Sequence, residues 1–176
     1  MNWLALYVTC LLLVASPASA QSLSERLGVN SFLGVSPSTQ DFVNEVAMND
    51  MLETELSKLA EERGGAKTKE FAAKMLREHR GVSSQLKSLV RSGQVKVNFP
   101  ATLDDARKAK LDTLKSMSGV GFDKAFEGLQ VSIHNDTVSL FERYGGDGSH
   151  PDLKLFAFKY LPSLIEHWNE ARDLKQ

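Results

Sequence analysis

The chain has 176 residues, a net charge of −1 from 21 basic and 22 acidic side chains, four histidines and one cysteine. That length suits one domain with its own core. The near-neutral balance, with no basic patch, argues against a nucleic-acid partner, and a single cysteine excludes a disulfide framework.

Residues 1–20 read as a signal peptide. Trp3 to Val14 is uncharged and mostly apolar, and Ala18-Ser19-Ala20 sets small residues where signal peptidase needs them, so cleavage is expected before Gln21. The apolar run is shorter than the roughly 18 residues of a membrane span, so no transmembrane segment is expected in the mature chain. No Lys or Arg precedes the run, leaving the α-amino group as its only positive charge. Cys10 lies inside the signal, and Tyr7-Val8-Thr9 before it lacks the small residues of a lipoprotein site. The exported chain would therefore have no thiol chemistry.

Residues 21–37 are polar and small, and read as a flexible leader. Residues 38–174 read as a helical bundle. Ser38 can cap the first helix, with Asp41 three residues on. Phe42, Glu45, Asn49, Leu52, Leu56, Leu59 and Ala60 share a face as far as Arg63, and Gly64-Gly65 ends the helix. The second helix follows at once over residues 67–93. Phe71, Ala72, Met75, Leu76, Val82, Leu86, Leu89 and Val90 form its apolar stripe, with His79 near the middle. So short a turn makes the two helices antiparallel neighbours.

Gln94 to Pro100 is a connector, followed by a short third helix from about Asp104 to Met117. The fourth runs to about Tyr144, with Phe122, Phe126, Leu129, Ile133, Thr137, Leu140 and Phe141 on its face, and Gly145-Gly146-Asp147-Gly148 reads as a break. Ser149 is the expected cap of the last helix, whose face is Leu153, Phe156, Ala157, Tyr160, Leu161, Leu164, Trp168 and Ala171. Pro162 sits in mid-pattern and removes the donor for the Phe158 carbonyl. The pattern predicts an all-α fold, a ferritin-like four-helix bundle of two antiparallel hairpins joined by a short crossover helix. Charged outer faces, Arg107-Lys108 among them, read as solvated surface.

On that topology, at 1.5 Å per residue, Glu53, His79, His134 and His167 fall at about one height, roughly 15–23 Å from one end. Four helices each offer one nitrogen or oxygen donor. Imidazoles with a carboxylate suit one transition-metal ion: Fe, Zn, Cu or Ni. The alternative is that each histidine bonds a neighbouring carboxylate or carbonyl and fixes helix register. The Glu-x-x-His signature of a di-iron bundle is missing, because Leu76 and Leu164 stand three residues before His79 and His167. Glu78 and Glu166 directly precede those histidines, and adjacent helical residues do not face each other. Glu45 also falls on the apolar face, either buried or near an open end. No phosphate loop, serine elbow or paired-thiol motif is present.

The ordered motifs carry a resemblance. Asp41-Phe42-Val43, Glu53, Leu56–Ala60, Phe71-Ala72, Glu78-His79, Ser118-Gly119 with Phe122-Asp123, His134 with Phe141-Glu142, and Leu161-Pro162 with Glu166-His167 resemble a bacterial secreted ferritin-like family of unknown function. Its members are often labelled "predicted outer membrane protein", although no β-barrel alternation is visible here. The resemblance spans about Ser38–Leu174. It implies a ferritin-like bundle in the periplasm or cell envelope, with recurrent polar positions on Glu53, His79, His134 and His167. Glu78 stands where the family usually has Asp.

Three roles follow from these readings. The first is an envelope or stress-related binding module with a metal site and no catalytic residues. The second is a metal-dependent oxidoreductase at that site. The third is a structural bundle that docks to a second copy or an envelope protein through an apolar strip. No small-molecule substrate is identifiable.

Overall fold

A computed structural model describes residues 33–174. The residues read as a signal peptide, and most of those read as a leader, lie outside the described residues. Five helices follow: α1 (Thr39–Arg63), α2 (Ala66–Arg91), α3 (Asp105–Lys115), α4 (Gly119–Asp147) and α5 (Pro151–Leu174). Among the described residues there is no strand, and no helix is long and apolar enough to cross a membrane.

Ser38 caps α1, its hydroxyl oxygen accepting from the Asp41 amide at 3.1 Å while the hydroxyl donates to the Asp41 carboxylate at 2.9 Å. Gly64 ends the helix for reasons of space. Its φ is −71°, open to any residue, but a Cβ there would meet Thr68 Cγ2 at 2.6 Å and the Ala60 carbonyl at 2.8 Å.

α1 packs most extensively on α2, and α4 on α5; α1 also lies along α4, and α2 along α5. The Gly65 amide donates to Asp123 at 2.9 Å, so α2 and α4 start at the same end. Thr39 and Tyr144 hydroxyls meet at 2.8 Å, which places the start of α1 beside the end of α4. α3 is capped by Asp104 and covers α1 and α4 with Leu111 and Leu114.

Two expectations are corrected. Gly145, Gly146 and Asp147 continue α4, and the chain breaks only at Gly148, where a Cβ would collide with the Tyr144 carbonyl and ring. Phe158 lies over Gly145, where a Cβ would meet that ring at 3.4 Å. The cap of α5 is His150, whose carbonyl accepts from Lys154 at 3.0 Å. Ser149 instead bonds Thr39 at 3.0 Å.

The core divides into two apolar clusters. One is built from Phe42, Val46, Leu86, Phe141, Tyr144 and Phe156, with Phe42 stacked on Tyr144 at 4.0 Å. The other contains Leu52, Leu56, Phe71, Met75, Phe122 and Phe126. On each long helix a buried polar residue falls between the segments that feed the two clusters: Asp50 on α1, with Glu53 just past Leu52, His79 on α2, His134 on α4 and His167 on α5.

Candidate metal centre

This polar layer is built from one histidine on each of α2, α4 and α5. One ring nitrogen from each of His79, His134 and His167 lies within 4.8 Å of one from each of the others, and all three residues are buried. Ring centroids are 6.0 Å apart for His79–His134 and His79–His167, and 5.4 Å for His134–His167.

Each imidazole is tied at one nitrogen to an acceptor. His79 Nδ1 donates to Asp50 Oδ1 at 3.3 Å, His134 Nδ1 to the Gln130 carbonyl at 2.9 Å, and His167 Nε2 to Glu78 Oε2 at 2.6 Å. An acceptor at one nitrogen fixes the proton there and leaves the other with a bare lone pair in the neutral ring. Those other nitrogens, His79 Nε2, His134 Nε2 and His167 Nδ1, are buried without a partner.

Glu53 stands apart from the three-histidine set but borders the same space. With His79, His134, Asp50, Asn49 and Thr137 it lines a cavity of about 20 Å³. Its Oε2 accepts from Gln130 Nε2 at 2.8 Å, while Oε1 is buried and unpartnered. Of the four residues that sequence height set at one level, the structure brings His79, His134 and His167 into a triangle and places Glu53 on the wall of the adjoining cavity.

The electrostatics follow from burial and neighbours. Burial raises the Glu53 carboxyl from 4.5 to about 7, with His79 and Gln130 opposing. Burial also lowers His134 to about 3, helped by the charge on His79. For His79 burial opposes the charged form, yet the hydrogen bond to Asp50 and the fields of Glu53 and Glu78 outweigh it and raise the pKa. His167 is lowered, chiefly by burial, against the bond to Glu78.

The family model described as a domain of unknown function, DUF4142, matches residues 25–174. The chain belongs to that family. No curated protein and no solved structure matches it.

Three supporting residues of this DUF4142 chain escaped sequence reasoning. Gln130 lies on the Phe126–Ile133–Thr137 face and four residues before His134, a spacing that marks it as a partner. Asp50 had no such signal, because α1 buries residues around most of its circumference. Glu78 does not face His79, but it reaches across to His167 on another helix.

Beside the layer, Arg107 is not solvated surface: its side chain is 13% exposed and pairs with Glu45 at 2.5 Å, while Asn49 Oδ1 accepts from it at 2.7 and 2.9 Å. Glu45, placed on the apolar face by its spacing, sits there as the counter-ion of Arg107. Asn49 in turn donates to Thr137 at 3.1 Å on the cavity wall.

Proposed function

We propose that the protein is an exported, ferritin-like helical bundle that holds one transition-metal ion in the cell envelope. His79, His134 and His167 are the nitrogen ligands, and Glu53 is the fourth donor. The observation that carries this reading is the set of three buried, unpartnered ring nitrogens, each on an imidazole whose other nitrogen is held by an acceptor. A buried polar atom without a partner costs about 1–3 kcal/mol. Metal-ligating histidines are held in this way, since the outer bond fixes tautomer and ring direction. A purely structural network would instead consume these lone pairs.

Three nitrogens and a carboxylate oxygen suit Fe, Zn, Cu or Ni. The cavity of about 20 Å³ has room for one water-sized body and none for an organic substrate. That suits a module that holds a metal, and it would confine an oxidoreductase at the same site to oxygen, peroxide or metal-ion chemistry. The ferritin-like reading draws on the shared end of α2 and α4 and the short crossover α3 between two hairpins. Export draws on the signal pattern of residues 1–20.

The test is elemental mass spectrometry of the mature, untagged protein expressed with export, beside a His79→Ala/His134→Ala variant. We expect about one metal per chain in the wild type and loss in the variant, with helical circular dichroism retained. Wild-type protein free of metal after reloading with Fe, Zn, Cu and Ni in turn would sink the proposal.

A further inference from the structure

A groove of about 390 Å³ runs between α3 and α4, away from the histidine layer. Ala106, Ala109, Thr113 and Leu114 of α3 line it with Ala125 and Leu129 of α4, and Lys110 stands exposed beside them. Alanines on both helices leave this room. The Thr113 hydroxyl is already taken up by the Ala109 carbonyl at 2.8 Å, so the surface on offer is almost wholly apolar. An apolar body seated there would remove that surface from water.

The chain ahead of α1 arrives on the same face of α4. Arg143 Nη1 donates to the Val35 carbonyl at 2.7 Å, which pins the chain beside that residue. Arg143, Asp136, Leu129 and Ala125 are spaced seven, seven and four residues apart, so they fall within about 40° of one direction on α4. Gly34, next to the pinned carbonyl, has a φ of 66° in a turn, a conformation that redirects the chain at little cost to glycine. Leu129 lies fourteen residues before Arg143, roughly 21 Å along the axis. Eight residues of chain ahead of Val35 reach up to roughly 27 Å, so Leu27 attains the groove even after the turn. Leu23, four residues further, has length to spare for Ala125.

The composition of the segment suits that surface. Leu23, Leu27, Val29 and Phe32 punctuate it, and its two charges, Glu25 and Arg26, cancel. The family match begins at residue 25, inside this segment and not at the first helix. We propose that residues 23–32 run back along α4 and seat Leu27 in the α3–α4 groove as an intramolecular strap. Arg107 ties the start of α3 to α1, and the Arg63 guanidinium donates to the Lys115 carbonyl at its end, at 2.7 Å. The strap holds the stretch between. It touches none of the histidine layer, so it stands or falls separately from the metal site.

Thiol crosslinking of the full mature chain provides the test. From Gln21 onward the sequence has no cysteine, so Gly28→Cys and Thr113→Cys supply the two thiols. A short bis-maleimide should join them within one chain about tenfold faster than it joins Gly28→Cys to Leu155→Cys on the exposed face of α5. Adding Leu27→Asp should slow the first pair about tenfold or more, as expected when a seated leucine is replaced by a charge, with unchanged circular dichroism. Equal rates for the two pairs overturn the proposal, as do rates that Leu27→Asp leaves unchanged. Links formed between chains, in place of links within one, overturn it in favour of a second copy as the occupant.

Discussion

Asp50 holds the Nδ1 side of His79 and is the strongest influence raising that imidazole's pKa against burial. Asp50→Asn keeps an oxygen within reach but removes the charge. In metal-free protein the His79 titration should move to lower pH, read by NMR. Metal affinity should fall about 10–100-fold, the usual cost of losing a carboxylate behind a ligating histidine, read by chelator competition. An unchanged affinity would mean that Asp50 does not orient the ring. His79 itself was legible in the sequence because a single imidazole interrupts a clean apolar stripe on α2. Asp50 was not, because on α1 buried positions such as Phe42, Val43, Val46, Ala47 and Met48 crowd so many directions that no polar flank remains to contrast with.

At the scale of elements, one side chain ties the start of α3 to α1. Arg107 joins it to α1 through Glu45 and Asn49, and Asn49 continues the bond to Thr137 on α4. Arg107→Met would preserve apolar bulk but leave the Glu45 carboxylate and the Asn49 oxygen without their cation. Breaking a fully buried pair costs roughly 3–5 kcal/mol; with some solvent at both partners we expect a loss of about 2 kcal/mol in urea denaturation.

Helix order and the bounds of α1, α2 and α3 were visible in capping residues and periodicity. The end of α4 was not, since Gly145-Gly146 has the composition of a turn, while the helix runs through it and uses Gly145 to let the Phe158 ring approach. Arg107 was misplaced for a related reason: beside Lys108 on a weakly amphipathic helix it looks solvated, and the partners that bury it, Glu45 and Asn49, lie 62 and 58 residues away.

For the whole molecule, two buried groups pull stability in opposite directions with pH. Glu53 titrates near 7 in the fold against 4.5 as a free side chain, so its contribution is complete below 4.5 and is lost as pH rises through 7. His134 titrates near 3 against 6.5, so its contribution is complete above 6.5 and is lost as pH falls towards 3. The two slopes oppose each other between 4.5 and 6.5, which masks either one in the wild type. Removing one exposes it: metal-free Glu53→Gln should gain on the wild type by on the order of 1 kcal/mol per pH unit from 4.5 to 7. Denaturant midpoints at three pH values across that window would show it, and a flat difference would mean that Glu53 titrates normally.

The polar layer has a kinetic side as well. Its donors come from α1, α2, α4 and α5, and apolar clusters lie on both sides of it. An ion held there would pass only slowly to a chelator at the surface. It would leave only when the hairpins part, so its residence time would track the frequency of that opening, not the strength of any one metal–nitrogen bond. A substitution far from the histidines that slows opening would lengthen retention, and the protein would exchange its ion on the clock of its own unfolding.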